Sequence, residues 1–218
     1  MAVNALSAWN NLLKPTLMIT WNDVTFDQYV DILDVYDDTE LDDADRAIKL
    51  CGILFGVDIR NMPLSEYGRY VAQLSFLDRK MPKAAVLDHY EINGTRYRLI
   101  RDVGDITVAM YFDFNKKKAL GSDIRNYPEI MACFFVPEGK EYGEGYDLEA
   151  VKDDIRDMPV PVVNEIANFW VSAFKRLIRL SLAFLRLKTM KLPKEERKAV
   201  RKKIEEMEMA ARGAYSLS

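Results

Sequence analysis

The sequence predicts a mainly helical α+β protein: two related helical repeats, a small β-hairpin between them and a C-terminal helical extension. Three observations carry this. Asp58-Ile59-Arg60-Asn61-Met62-Pro63-Leu64 returns as Asp154-Ile155-Arg156-Asp157-Met158-Pro159-Val160, 96 residues later (154 less 58). A quieter echo, 82 residues apart, aligns Asp23, Thr25, Tyr29, Asp31, Ile48 and Cys51 with Asp105, Thr107, Tyr111, Asp113, Ile130 and Cys133; one insertion of 14 residues (96 less 82) reconciles the two as an internal duplication. Asn93-Gly94 between alternating apolar residues marks a hairpin, because a type I′ turn needs positive φ at both central positions. The expected divisions are 1–80, the first repeat; 81–187, hairpin and second repeat; and 188–218, a basic helical extension.

In chain order, residues 1–14 read as a short helix closed before Pro15, since the residue before proline disfavours helical backbone. Leu17 to Trp21 reads as a short strand. Thr25 is placed to cap a helix carrying Phe26, Tyr29, Val30 and Leu33 at i, i+3, i+4, i+7. Asp37 to Asp43 is a loop and helix entry, with carboxylates at the positive end of the helix dipole. Ala44, Ala47, Ile48, Cys51, Leu54 and Phe55 mark the next helix, which Gly56 can end. The first Asp-Ile-Arg motif then opens a helix at Pro63, running through Tyr67, Tyr70, Val71, Leu74 and Leu77.

Residues 81–88 link to the hairpin of Tyr90 to Leu99. Thr107 to Phe114 fits strand or helix by its own pattern; the repeat favours helix. Pro128 to Phe135 corresponds to the Cys51 helix. Pro137 to Tyr146 is glycine-rich and acidic, so an exposed loop is expected. A short helix spans Asp147 to Ile155. The longest helix starts at Val162, with one polar stripe through Asn164, Glu165, Asn168, Ser172, Lys175, Arg176, Arg179 and Arg186. Pro193 opens a last helix with a narrow apolar seam at Val200, Ile204, Met207 and Ala211.

The chain has 218 residues, 49% apolar and 30% charged, ordinary proportions for a globular protein. Its first residues lack the order of a secretion signal, and the most apolar run, Phe169 to Leu187, is interrupted by Lys175, Arg176, Arg179 and Arg186. Synthesis and action in the cytoplasm are expected. The net charge of −3 conceals an asymmetry. No basic residue occurs between Lys14 and Arg46, whereas residues 175–203 are strongly basic. Lys191, Lys194, Arg197, Lys198, Arg201, Lys202 and Lys203 are the candidate contacts for an anionic partner, whether nucleic acid, a membrane surface or an acidic protein. The width of the long helix's apolar face points to core packing and away from a membrane.

No catalytic, cofactor or metal residues emerge. His89 is the only histidine and lacks the company a zinc site requires. Cys51 and Cys133 lie in apolar runs and read as two buried thiols. Asp37 to Asp43 lacks the turn glycine and terminal glutamate of a calcium loop. Gly143-Glu144-Gly145 is flanked by glutamates that would repel phosphate. Asp58 with Arg60 and Asp154 with Arg156 admit two readings. One is a pair of anion sites; the other is a structural joint in which Asp caps a turn or helix start while Arg and proline set the same geometry twice. The second is preferred.

Trp21 with Thr25-Phe26-Asp27-Gln28-Tyr29, the acidic loop, Met62-Pro63-Leu64-Ser65-Glu66, Leu74-Ser75-Phe76-Leu77 and Tyr90-Glu91-Ile92-Asn93-Gly94-Thr95-Arg96-Tyr97 together carry a resemblance. Over about residues 17–175 the chain resembles small structural and assembly proteins of tailed bacteriophages, crAss-like phages included, among them tail-assembly chaperones and virion-associated tail, neck or cargo proteins. The resemblance implies a non-enzymatic protein acting on other phage structural proteins, homo-oligomeric or part of a larger assembly, in the host cytoplasm and then in the virion or left out of it. The alternative is a nucleic-acid-associated accessory protein using the basic C-terminal region.

Overall fold

The computed structural model describes residues 18–118 and 123–189, together with Glu196, Val200, Lys202 and Lys203. Among the described residues are seven α-helices and one three-stranded antiparallel sheet, so the protein is mainly helical α+β. The expected helix over 1–14 and most of the one opening at Pro193 lie outside the described residues. The chain divides into two compact units: Met1–Val24 with Gln28–Pro82, and Thr25–Asp27 with Lys83–Ser218.

In the first unit the strand expected at Leu17 to Trp21 is not formed at its described residues, 18–21. Met18 to Thr20 have no regular structure and Trp21–Asp23 is a 3₁₀ turn. Asp23 favours the turn: its carboxylate accepts the hydroxyl (2.7 Å) and the backbone N–H (2.8 Å) of Thr20, and the second bond occupies a donor that strand pairing would use. Trp21 is buried edge-on to Phe76 (5.2 Å) and Tyr29 (5.9 Å), and its indole N–H donates to the Arg79 carbonyl at 3.0 Å. Helix α1 (Phe26–Asp37) follows Thr25 and buries Ile32 and Val35. Helix α2 (Asp43–Phe55) is capped by Asp42, which accepts the Asp45 N–H at 2.8 Å, and ends as expected at Gly56, at φ 65°. Its Leu50, Cys51 and Leu54 are buried, and the Ile53 carbonyl accepts from the Gln28 side chain at 3.0 Å. Helix α3 (Leu64–Gln73) begins after Pro63.

In the second unit, strands β1 (His89–Ile92) and β2 (Thr95–Leu99) form the expected hairpin, with Asn93 at φ 49° and Gly94 at φ 78°. Helix α4 (Val108–Lys118) resolves the ambiguity at Thr107 to Phe114 in favour of helix; the Thr107 hydroxyl caps it by accepting the Met110 N–H at 3.2 Å. The expected helix over Pro128 to Phe135 is cut short. Helix α5 (Tyr127–Met131) gives way to a 3₁₀ turn at Ala132–Phe134, and then to strand β3 (Phe135–Pro137), which pairs with β2. The hairpin is therefore part of a three-stranded sheet. Tyr97 to Leu99 would otherwise leave unpaired backbone groups beside a buried apolar run. Phe134 and Phe135 point to opposite sides, Phe134 onto Trp170 and Phe174, Phe135 onto Tyr90 and Tyr97. Helix α6 (Leu148–Arg156) is capped by Asp147, which accepts the Glu149 N–H at 2.9 Å. Helix α7 (Val160–Thr189) is the longest and buries Val163, Ile166, Trp170 and Phe174. Thr25–Asp27 join this unit through the Phe26 N–H, which donates to the Met158 carbonyl at 2.9 Å.

The Asp-Ile-Arg motif does not keep one geometry in its two expected copies. Asp58 accepts the Arg60 backbone N–H and Nε, each at 3.0 Å, and Ile59–Asn61 makes a 3₁₀ turn. Asp154 instead lies inside α6, because the helix is already under way from Leu148. It caps nothing; its carboxylate accepts from Asn93 and Tyr97. What the two copies share is a buried isoleucine, Ile59 or Ile155, and a proline placed directly before a helix. The geometry of the first copy recurs elsewhere, at Asp123-Ile124-Arg125-Asn126-Tyr127-Pro128. There Asp123 accepts the Arg125 N–H at 2.9 Å, Ile124–Asn126 is a 3₁₀ turn, and α5 follows. The 82-residue echo is also local: the turns Trp21–Asp23 and Val103–Asp105 each lead through an extended residue and a threonine into a helix, but Cys51 is helical and Cys133 lies in a 3₁₀ turn.

Candidate functional site

Three places in the second unit bring chemistry-bearing residues together. The first surrounds Cys133. The thiol is buried on the turn after α5, and burial pushes its pKa up to about 11 while Lys117 pulls the other way. A thiol held protonated is a poor nucleophile, since reaction requires the thiolate. Burial raises Cys51 as well. Beside Cys133 the Tyr142 hydroxyl donates to Asp113 at 3.0 Å, and farther along the same loop, at its exposed side, Lys140 donates to the Gly145 carbonyl at 2.6 Å. The segment after Pro137 is the exposed loop expected, with Tyr142 and Tyr146 half-buried in it and Gly139, Gly143 and Gly145 supplying positive φ for its turns. Beside it Glu129 accepts from Lys117 at 3.2 Å and meets Lys152 at 3.1 Å. Burial raises the Glu129 pKa, but the bonds from Lys152 and Lys117 outweigh it and hold the carboxyl below its ordinary value.

This cluster reads as a pin that ties α4, α5 and α6. Because the folded pKa of Glu129 is lowered, its stabilising effect is present above the unfolded carboxyl value near ~4.3 and lost as pH falls through the folded one. Glu129→Gln is expected to cost about 1 kcal/mol at pH 7. The gap from the parent should close below about pH 4. Urea midpoints at pH 7 and pH 3 measure this, and a gap unchanged between them would refute the pin.

The second place is an open groove of about 730 Å³ whose lining includes Asp88, Arg101, Asp102, Phe169, Ser172 and Arg176. Arg101 pairs with Asp88 at 2.6 Å and stands 5.6 Å over the Phe169 ring. Among the described lining residues two cations, Arg101 and Arg176, face two carboxylates, Asp88 and Asp102.

The third is the outer face of α4. Met110, Asp113, Phe114 and Lys117, at i, i+3, i+4, i+7, turn inward: Met110 and Phe114 are buried, Phe114 stacks on Phe174 at 4.3 Å, and Asp113 and Lys117 make the bonds described above. Val108, Tyr111, Phe112 and Asn115, at the same spacing, turn outward. Val108 is 72% exposed, Tyr111 50% and Phe112 60%. A helix that spends two polar residues on its inner face and shows three large apolar ones outside inverts the usual amphipathic pattern. Such clusters mark contact sites, while single exposed apolar residues do not.

Of the expected anionic-partner residues, Lys202 and Lys203 are helical and exposed. Lys191, Lys194, Arg197, Lys198 and Arg201 lie outside the described residues. Arg60 and Arg156 face carboxylates: Arg60 pairs with Asp58, and Arg156 with Asp153 at 3.3 Å and Asp27 at 4.0 Å. His89 is exposed at the start of β1. Among the described residues no group of three or more His, Cys, Asp or Glu could hold a metal, and no helix is long and apolar enough to cross a membrane. The outward apolar face of α4 was missed in the sequence, although its i, i+3, i+4 spacing at Val108, Tyr111 and Phe112 was there to be read. Comparison of the chain with protein-family models, curated proteins and solved structures gives no match.

Proposed function

We propose that this chain is a non-enzymatic structural or assembly protein of a tailed bacteriophage and works through protein–protein contacts. The observation that carries the contact reading is the outward face of α4, where Val108, Tyr111 and Phe112 are exposed on a helix whose other face is core. The polar clusters support it, since the Glu129 and Asp154 carboxylates are both engaged in bonds that hold elements together. The phage assignment rests on the resemblance carried by residues 17–175. In this reading the repeated local pieces descend from one helical unit, and the protein meets its partners in the host cytoplasm, either leaving with the particle or staying behind. Mass spectrometry of purified particles tests it. A virion component is present in stoichiometric amount; an assembly factor is absent from particles but co-purifies from infected cells with tail or capsid proteins. A chain that is absent from particles and captures no virion protein overturns the reading.

A further inference from the structure

We infer that the outward face of α4 is a self-association surface, on which a second copy of this chain docks with its own α4 antiparallel. This deepens the contact reading and rests on it only in taking that face to be a binding surface. The argument for a second copy is charge complementarity along the helix. The approach to α4 is acidic and exposed, at Asp102 and Asp105; its end is basic, with Lys116 exposed one turn beyond Phe112 and paired only loosely, at 3.8 Å, with Asp113 of its own helix. A surface that runs acidic, apolar, basic is complementary to itself when reversed. Two-fold symmetry requires that if residue i meets residue j, then j meets i.

An axis between Tyr111 and Phe112 sets the two aromatic pairs against each other and Val108 of each copy beside Asn115 of the other. Lys116 lies about 7 Å from that axis along the helix, and Asp105 lies just before the helix, at the end of the turn Val103–Asp105 that leads into it, so the long lysine side chain is the one that bridges the pair. The two helix dipoles also oppose each other in this arrangement, as favoured. Tyr111 and Phe112, with ring centroids 6.3 Å apart, present an edge and a face together, the geometry that aromatic pairs use across an interface. A single 11-residue helix falls short of the roughly 800 Å² that each partner buries in a standard interface, so the dimer dissociates on dilution in the micromolar range.

Sedimentation equilibrium of the full chain between micromolar and several hundred micromolar is the test. The expected result is a reversible monomer–dimer equilibrium. Phe112→Glu, at an exposed position, should raise the dissociation constant by roughly 30-fold or more with the circular dichroism melt unchanged. Asp105→Lys and Lys116→Asp should each weaken the dimer by roughly fivefold, because every dimer contains two such pairs. The double variant restores both pairs with signs exchanged and should recover most of the loss. Three results overturn the inference: a monomer at all concentrations, a dimer indifferent to Phe112→Glu, or a double variant no tighter than the single ones. A monomer whose Phe112→Glu variant loses a virion partner would overturn it while leaving the wider contact reading intact.

Discussion

Phe134→Ala is expected to destabilise the protein by about 3–5 kcal/mol, the range for removing a fully buried aromatic ring from a core that cannot collapse into the space. Phe134 has no exposed surface. Its ring stacks on Trp170 at 4.1 Å and 21°, and packs at a tilt against Phe114 at 5.5 Å and Phe174 at 6.0 Å. Removing it strips one partner from each of three other aromatic side chains. They come from α4 and α7, and α4 cannot close the gap without losing bonds elsewhere, since Tyr142 holds it at Asp113 and Glu129 at Lys117. Phe134→Leu keeps most of the volume and should cost clearly less, about 1–2 kcal/mol. Urea unfolding followed by tryptophan fluorescence measures both, and a loss under about 1.5 kcal/mol for the alanine would show that this aromatic cluster is not the centre of the core.

The position of Phe134 also shows which parts of the fold could be read in advance. Where a local signal has a backbone cause, the reading holds. Asn93-Gly94 supplies the two positive φ angles of its turn, Gly56 ends α2, and the polar stripe of the longest helix leaves Trp170 and Phe174 in the core. Where the cause is tertiary, it fails. Phe135–Pro137 is too short to show alternation, and it becomes a strand because β2 needs a partner. Trp21 sits in an apolar run that resembles a strand, yet Asp23, two residues on, takes the donors of Thr20.

The Asp-Ile-Arg motif fails in a more instructive way. Matching on Met-Pro paired residues 58–63 with 154–159, but the conformation follows Asp-Ile-Arg-Asn, which pairs 58–61 with 123–126. The aspartate side chain bonding two residues ahead is what makes the turn, and it does so only where no helix has already begun. The outer face of α4 shows the limit of periodicity. Both of its faces carry apolar residues at helical spacing, and pattern alone gives no means of choosing which one the fold covers.

Asp154→Ala is expected to cost about 2–3 kcal/mol, although Asp154 belongs to a motif that reads as a simple cap. Its Oδ1 accepts the Asn93 side-chain amide at 2.9 Å, and its Oδ2 accepts the Tyr97 hydroxyl. Asn93 also donates to Asp157 at 2.7 Å. One carboxylate on α6 therefore anchors both the tip and the second strand of the hairpin. Alanine improves helix propensity by several tenths of a kcal/mol, which offsets part of the loss. The larger effect is that the Tyr97 hydroxyl, on a buried side chain, loses its charged acceptor.

Burial raises the Tyr97 pKa and the bond to Asp154 raises it further. A raised folded value means that this stabilisation is fully present below the unfolded tyrosine pKa near ~10 and is lost as pH climbs through the folded value. In the parent, like Tyr142, whose pKa burial also raises strongly, Tyr97 should thus resist titration by ultraviolet difference spectroscopy until the protein unfolds in alkali. In Asp154→Ala it should titrate earlier. A double-mutant cycle with Tyr97→Phe isolates the pair, and a coupling of about 1–2 kcal/mol is expected. Coupling below about 0.5 kcal/mol would mean that α6 and the hairpin are joined by apolar packing and that the bond is incidental. Asp157→Ala supplies the contrast: Asp157 is exposed and shares only Asn93, so it should cost under about 1 kcal/mol.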